Sequence, residues 1–259
     1  MNYMNSSSLE LSLSTTSVKV LNMIATLFAI IFNTFAVILP LNNRSTREIS
    51  DSLANYFTPA PYVFSIWSII YIGWILFALY PFLKEAEGFT HKVNLWYFTN
   101  LFANGIWIVL WHYGEYLLSV FVMIYLLFSL IVLYQRLEIG SMDNSTENII
   151  FKKFPVSIYF GWITVATIAN MVAYLVSINV TFNDLDPIIT VLVIAVGFII
   201  GFLVVIRNTD YLYSLVFIWA YLGVFVAQSG NQDLVANSAL LFLLLFVVTD
   251  LYMIYKSRS

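Results

Sequence analysis

Apolar runs of about twenty residues follow one another along the chain, separated by short polar breaks. The runs fall at Val20–Leu41, Tyr62–Leu83, Val93–Tyr113, Tyr116–Gln135, Pro155–Ile178, Ile188–Ile206, Tyr211–Ala227 and Leu234–Tyr255. Each is close to the roughly 20 residues that carry a helix across about 30 Å of hydrocarbon. Apolar residues run right round these segments and do not form one stripe, as expected of helices whose surroundings are lipid. None alternates over about ten residues in the manner of a barrel strand. The pattern therefore predicts an all-α, polytopic membrane helical bundle of about eight transmembrane helices, the short seventh being the weakest.

Proline and charge placement support the same segmentation. Pro40, Pro59, Pro61, Pro81, Pro155 and Pro187 fall at or near predicted helix ends, where a missing N–H and a fixed φ cost least. Lys19, Lys84, Lys92, Arg136, Lys152, Lys153, Arg207, Lys256 and Arg258 lie on the side of the N-terminus, against only Arg44 and Arg47 opposite. This asymmetry predicts a multi-pass cell-membrane protein with both termini in the cytoplasm. Residues 1–18 are rich in Ser, Thr and Asn and have no basic start, so a cleaved signal peptide is not expected. The stretch 136–154 reads as a flexible cytoplasmic linker.

Composition narrows the function. The chain is 61% hydrophobic and 10% charged, with a mean hydropathy of +0.88. Too little polar surface exists to face water, so the lipid bilayer is its solvent and first partner. The net charge of −3 and the absence of a long basic run argue against nucleic acid. Zero cysteines exclude disulfides and thiolate metal sites. Of the two histidines, His91 sits among charges. His112 has only Glu115 nearby, too few ligands for a metal. Asp250 is a turn from a helix end, within reach of water, and no carboxylate falls mid-span, so neither a proton relay nor a catalytic cluster is expected. We expect neither enzymatic activity nor a metal.

Aromatic and amide side chains are placed in register. Asn100, Asn104, Trp107 and Trp111 share one face of the third span. Phe64, Trp67, Tyr71 and Trp74 share a face of the second, and Tyr159, Trp162, Ala166 and Asn170 a face of the fifth. An unpaired amide in lipid costs several kcal/mol, about the energy of a lost hydrogen bond or more. The asparagine faces should therefore turn inward and carry their tryptophans with them. Such stripes either pack a bundle core or enclose a flat hydrophobic pocket with a few polar anchors. In the sixth span, Gly197 and Gly201 permit close helix approach, within the chain or across a homodimer.

Three stretches carry a family resemblance. These are Phe57-Thr-Pro-Ala-Pro-Tyr-Val-Phe-Ser-Ile-Trp67-Ser-Ile-Ile-Tyr71, Asn104-Gly-Ile-Trp107, and Tyr159-Phe-Gly-Trp162-Ile-Thr-Val-Ala166-Thr-Ile-Ala-Asn170. Together they resemble the tryptophan-rich sensory protein family (TspO/MBR), bacterial relatives of the mitochondrial translocator protein. The departures are Ile158 where the family usually has proline, a Phe64-to-Trp67 spacing one residue short, and Phe57 or nothing in place of a loop tryptophan. The resemblance divides the chain into a polar tail (1–19), a five-helix core (20–180), and three further helices with a short cytoplasmic tail (181–259). It implies a pocket for a hydrophobic, planar small molecule (a tetrapyrrole or a sterol-like compound), bound as ligand and not as cofactor, for sensing or transport. Pro61, Phe64, Trp67, Tyr71, Asn104, Trp107, Trp111, Tyr159, Trp162, Ala166 and Asn170 are the residues it brings to that pocket. The alternative is a permease-like subunit of a larger transporter, with the stripes as packing.

Overall fold

The computed structural model describes residues 14–38, 41–53, 55–84, 87–93 and 95–258. Pro40 and most of the expected N-terminal tail lie outside the described residues. The fold is all-α, with ten helices and no strand among the described residues. In chain order these are α1 (Thr15–Ile38), α2 (Thr46–Ser52), α3 (Ile66–Leu83), α4 (Glu87–Val93), α5 (Trp96–His112), α6 (Tyr116–Arg136), α7 (Phe154–Ser177), α8 (Asp186–Asn208), α9 (Tyr211–Gln228) and α10 (Asp233–Arg258). A 3₁₀ turn, Pro61–Ser65, leads into α3.

Seven helical segments are long and apolar enough to cross a membrane. The predicted third span is realised as α5, which at 17 residues is shorter than these seven. Its length still falls at the low end of what spans a bilayer. The weakly predicted seventh is present as α9. In hydrocarbon each helix satisfies its own backbone, which is why apolar sequence here means helix. Pro155 and Pro187 sit in the first turns of α7 and α8, and Pro61 in that of the 3₁₀ turn, while Pro81 lies inside the last turn of α3. The linker 136–154 is more ordered than expected. Ser145 caps a short turn, Thr146–Asn148, which continues into a π-helical stretch, Ile149–Lys153. Tyr80 donates to Glu147 at 2.7 Å and Lys84 pairs with the same carboxylate at 3.4 Å.

The helices form two groups. In the first, α1, α3, α7, α6 and α5 pack each against the next and close into a five-membered ring. In the second, α8, α9 and α10 pack mutually, and α9 also lies along α7. Buried amides lace the ring. Asn33 on α1 donates to Asn104 on α5 at 2.9 Å, and Asn104 donates to the Tyr159 hydroxyl on α7 at 3.4 Å. Asn100 donates to Ser129 on α6 at 2.7 Å. Gly197 and Gly201 face inward, against Tyr221 and Phe246, so this pair serves contact among α8, α9 and α10 within the chain.

Asp250 differs from its sequence reading. It is buried, and its carboxylate accepts from Ser214 on α9 at 2.7 Å. One turn before Ser214, Asp210 caps α9 through the Tyr213 N–H and accepts from Tyr134 and Ser157 at 2.9 and 2.6 Å. Sequence hydropathy could not place these two acids against hydroxyls carried by other helices.

Candidate functional site

At the α2 end of the bundle a narrow cleft of about 820 Å³, its open mouth included, lies between α3, α5, α7 and α9. Its walls come from different physical demands. Asn170 fixes the face that α7 presents: it accepts from Trp107 Nε1 at 3.3 Å and donates to Ser119 at 3.0 Å. With that face turned inward, Trp162, Ala166, Ala169 and Ala173 follow it at helical spacing into the cleft. On α3 and α5, Trp67 stacks on Trp107 (6.5 Å between ring centres, 26° between planes), and Trp107 on Trp111 (5.9 Å, 23°). Phe64 and Trp67 meet Trp162 edge-on at 6.3 and 6.2 Å. Indoles thus face a sheet of alanine methyls across a slot.

The mouth is built by α2, Leu53 and the segment 55–59. Ser45 and Glu48 form a reciprocal capping box that starts α2. These hydrogen bonds to Ser45 hold the Glu48 carboxyl below its usual range, with Arg44 and Arg47 adding to the effect. The α2 helix is tied to the ring where Trp111 Nε1 donates to the Thr46 carbonyl at 3.2 Å. His112 is buried beside it, with Nδ1 2.6 Å from the Ile108 carbonyl and Nε2 3.4 Å from the Thr46 hydroxyl, so both ring nitrogens serve structure. Thr46, Ser50, Asn55 and Thr58 bring the polar groups of the rim.

A second cavity, about 1070 Å³ with its mouth, lies between α1, α3 and α5. Its lining includes Asn33, Thr34, Ser45, Arg47, Ser68 and Tyr71. Because Thr34, Ile38 and Ser68 are exposed, it opens sideways between α1 and α3. Phe64, Trp67 and Trp107 line both cavities and form the partition between them.

A scan of protein-family models matches residues 19–252 to a family described as TSPO-like protein. The chain belongs to the TSPO-like family. The match runs through α8 and α9 and most of α10 as well as the five-helix ring. No curated protein and no solved structure matches the chain. It is a multi-pass membrane protein whose TSPO-like membership and aromatic clusters fit ligand binding.

Of the residues expected at a TSPO-like pocket, the cleft brings together Phe64, Trp67, Trp107, Trp111, Trp162, Ala166 and Asn170. Tyr71 lines the second cavity instead. Asn104 and Tyr159 are buried beneath, bonded to each other, and line neither cavity; Tyr159 packs edge-on against Trp74 at 5.0 Å. Pro61 is exposed and starts the 3₁₀ turn outside both. The sequence reading missed the α2 rim, Val165, Ala169 and Ala173, and the α9 residues Ala220, Tyr221 and Val224. Ala169 and Ala173 carried a usable signal, since they extend the Trp162–Ala166 face by further turns. The α9 residues carried none.

One polar atom stands apart. Six buried side-chain polar atoms among the described residues lack a hydrogen-bond partner, on Asn22, Trp74, Asn100, Trp162, Tyr211 and Asp250. Only Trp162 among them lines either cavity.

Proposed function

We propose that this protein binds a hydrophobic, planar small molecule, of tetrapyrrole or sterol-like type, in the cleft between α3, α5, α7 and α9, and senses or transports it without catalysis. The observation that carries this reading is the unpartnered indole N–H of Trp162 in the wall of an aromatic slot. A buried donor left unsatisfied costs about 1–3 kcal/mol. A ligand carrying an acceptor recovers that energy while its flat face stacks on the indoles. The neighbouring donors are already committed, Trp107 to Asn170 and Trp111 to Thr46. Recognition then rests on a flat apolar body and one acceptor. With the basic residues cytoplasmic, the cleft opens on the outer face of the cell membrane.

The test is tryptophan quenching of the purified full-length protein by a porphyrin, compared with Trp162→Phe, which keeps an aromatic ring and removes the N–H. We expect binding about tenfold weaker, the equivalent of about 1.4 kcal/mol. Unchanged binding in Trp162→Phe would remove the donor from recognition. Absence of porphyrin binding by the unaltered protein would leave the aromatic stripes as packing and favour a permease-like subunit.

A further inference from the structure

The ring α1–α3–α7–α6–α5 does not close the cleft by itself. Its remaining wall is α9, which contributes Ala220, Tyr221 and Val224. The same helix grips the chain directly after the mouth-lining residues Phe57, Thr58 and Pro59. The Ala60 N–H donates to the Gly223 carbonyl at 2.9 Å. Trp219 Nε1 donates to the Val63 carbonyl at 3.0 Å, and the Trp219 ring meets Tyr62 edge-on at 5.1 Å. Gly223 lies against this segment so closely that an added Cβ would collide with the Val63 side chain and stand 3.0 Å from Pro59 Cβ. Its φ is not in the left-handed region, so close approach and not backbone freedom is what demands glycine here.

Two more contacts set the orientation of α9. Tyr221 donates to the Ile194 carbonyl on α8 at 2.7 Å. Near the far end, Tyr213 donates to Thr164 on α7 at 2.9 Å. Gly161 on α7 has the Tyr213 carbonyl and Val216 within 3.0 Å of where a Cβ would stand. The helix is therefore seated along its length, and its small-residue face is presented to the slot while its glycine receives the mouth segment.

We propose that α9 is the specificity and access wall of the cleft: Ala220 and Val224 set the thickness of guest it admits, and its grip on Ala60 and Val63 anchors the chain directly after Phe57, Thr58 and Pro59, which line the mouth, and so keeps the mouth narrow. The thickness assignment rests on the binding reading above, whereas the access assignment does not. A guest enters when residues 57–59 swing outward, which loosens the adjoining Ala60 and Trp219 hydrogen bonds to α9 but leaves the ring intact.

The chain has no cysteine, so a single engineered thiol reports access cleanly. Ala169→Cys places one in the slot, and its reaction with a membrane-impermeant maleimide is timed in full-length protein reconstituted in vesicles. Gly223→Val should raise the labelling rate about tenfold or more, because local opening governs reaction at a covered site. Trp219→Phe keeps the ring and removes one hydrogen bond, and should raise the rate by a smaller factor, about threefold. If Gly223→Val does not fold, the Trp219→Phe comparison decides alone. Unchanged labelling in a folded variant overturns the access role. For thickness, Ala220→Leu should weaken porphyrin quenching about tenfold. Undiminished quenching in Ala220→Leu overturns the specificity role. Should the unaltered protein bind no porphyrin, the binding reading and the thickness assignment fall together, and the labelling result still stands or fails separately.

Discussion

The two cavities share a partition and differ in nearly everything else. The cleft against α9 is backed by alanines and flanked at its mouth by a segment fastened to α9, and among the described residues its one unpartnered buried donor is an indole N–H. The cavity against α1 carries hydroxyls, an amide and Arg47, and it opens sideways. Its amide, on Asn33, is already spent on Ala29 and Asn104, at 2.8 and 2.9 Å. Arg47 lies near Asp51 at 3.4 Å, both side chains about half exposed, a pair worth at most about 1 kcal/mol. The difference teaches that volume is a poor guide to a binding site in lipid. Among the described residues lining the two cavities, only Trp162 of the smaller one carries a buried side-chain polar atom without a partner, and on the binding reading proposed above that is the group a guest would satisfy.

The partition is where this contrast breaks most easily. Trp67→Ala should fuse the two cavities and cost porphyrin affinity about a hundredfold, since it deletes the ring that stacks on Trp107 and meets Trp162, and truncating a packed tryptophan costs about 3–5 kcal/mol. Quenching titrations measure it, and a loss under about threefold would mean the partition takes no part in recognition. Ala166→Leu adds bulk to the cleft alone and should weaken the same porphyrin about tenfold, as overpacking costs about 1–3 kcal/mol. An unaltered titration would move the guest to the α1 side. Arg47→Gln sharpens the comparison from that side: porphyrins with free carboxylates should lose about twofold and their methyl esters nothing, in keeping with an exposed pair. Equal losses for both would show that Arg47 acts through α2 and not through charge.

The smallest effect concerns the rim. The Glu48 carboxyl is held below its usual range by Ser45, so its contribution to α2 is present at neutral pH and above the unfolded value. It disappears as pH falls through the lower, folded value. The protection factors of the α2 amides against hydrogen exchange, which remove the intrinsic pH dependence of exchange, should therefore fall as pH drops below the ordinary glutamate range, and Glu48→Gln should flatten that fall. A pH profile that is the same in both proteins would exclude the capping box as its source.

Much of the fold was legible because charge is so costly in hydrocarbon that the 25 Asp, Glu, Lys and Arg side chains mark the ends of most spans. Most of the observed spans start and stop near those marks; the start of α3 is the exception, since no charge falls between Asp51 and Ile66 and the prolines of segment 59–61 mark it instead. The inward faces of α5 and α7 were legible for the same reason, since Asn100, Asn104 and Asn170 had no tolerable place outside the bundle, and all three are buried. Which residues the slot would touch was harder to read. Asn104 looked like an anchor for a ligand, yet it is consumed by Asn33 and Tyr159, partners that lie 71 and 55 residues away in sequence. Gly223 and Trp219 carry no signal of their roles in the sequence, because these come from the segment around Val63, 156 residues upstream of Trp219, which no local pattern connects to them.

The hydrogen-bonded chain from Asn33 through Asn104 to the Tyr159 hydroxyl bears on how the molecule can breathe. Prising apart α1, α5 and α7 would strand those groups in oil, so the hoop they fasten has no cheap way to dilate. The seam with α9 on the cleft side is made of methyls, one glycine and two backbone carbonyls, which can slip and re-form. Any swelling that accompanies occupancy should concentrate along that seam, and the hoop should keep its girth.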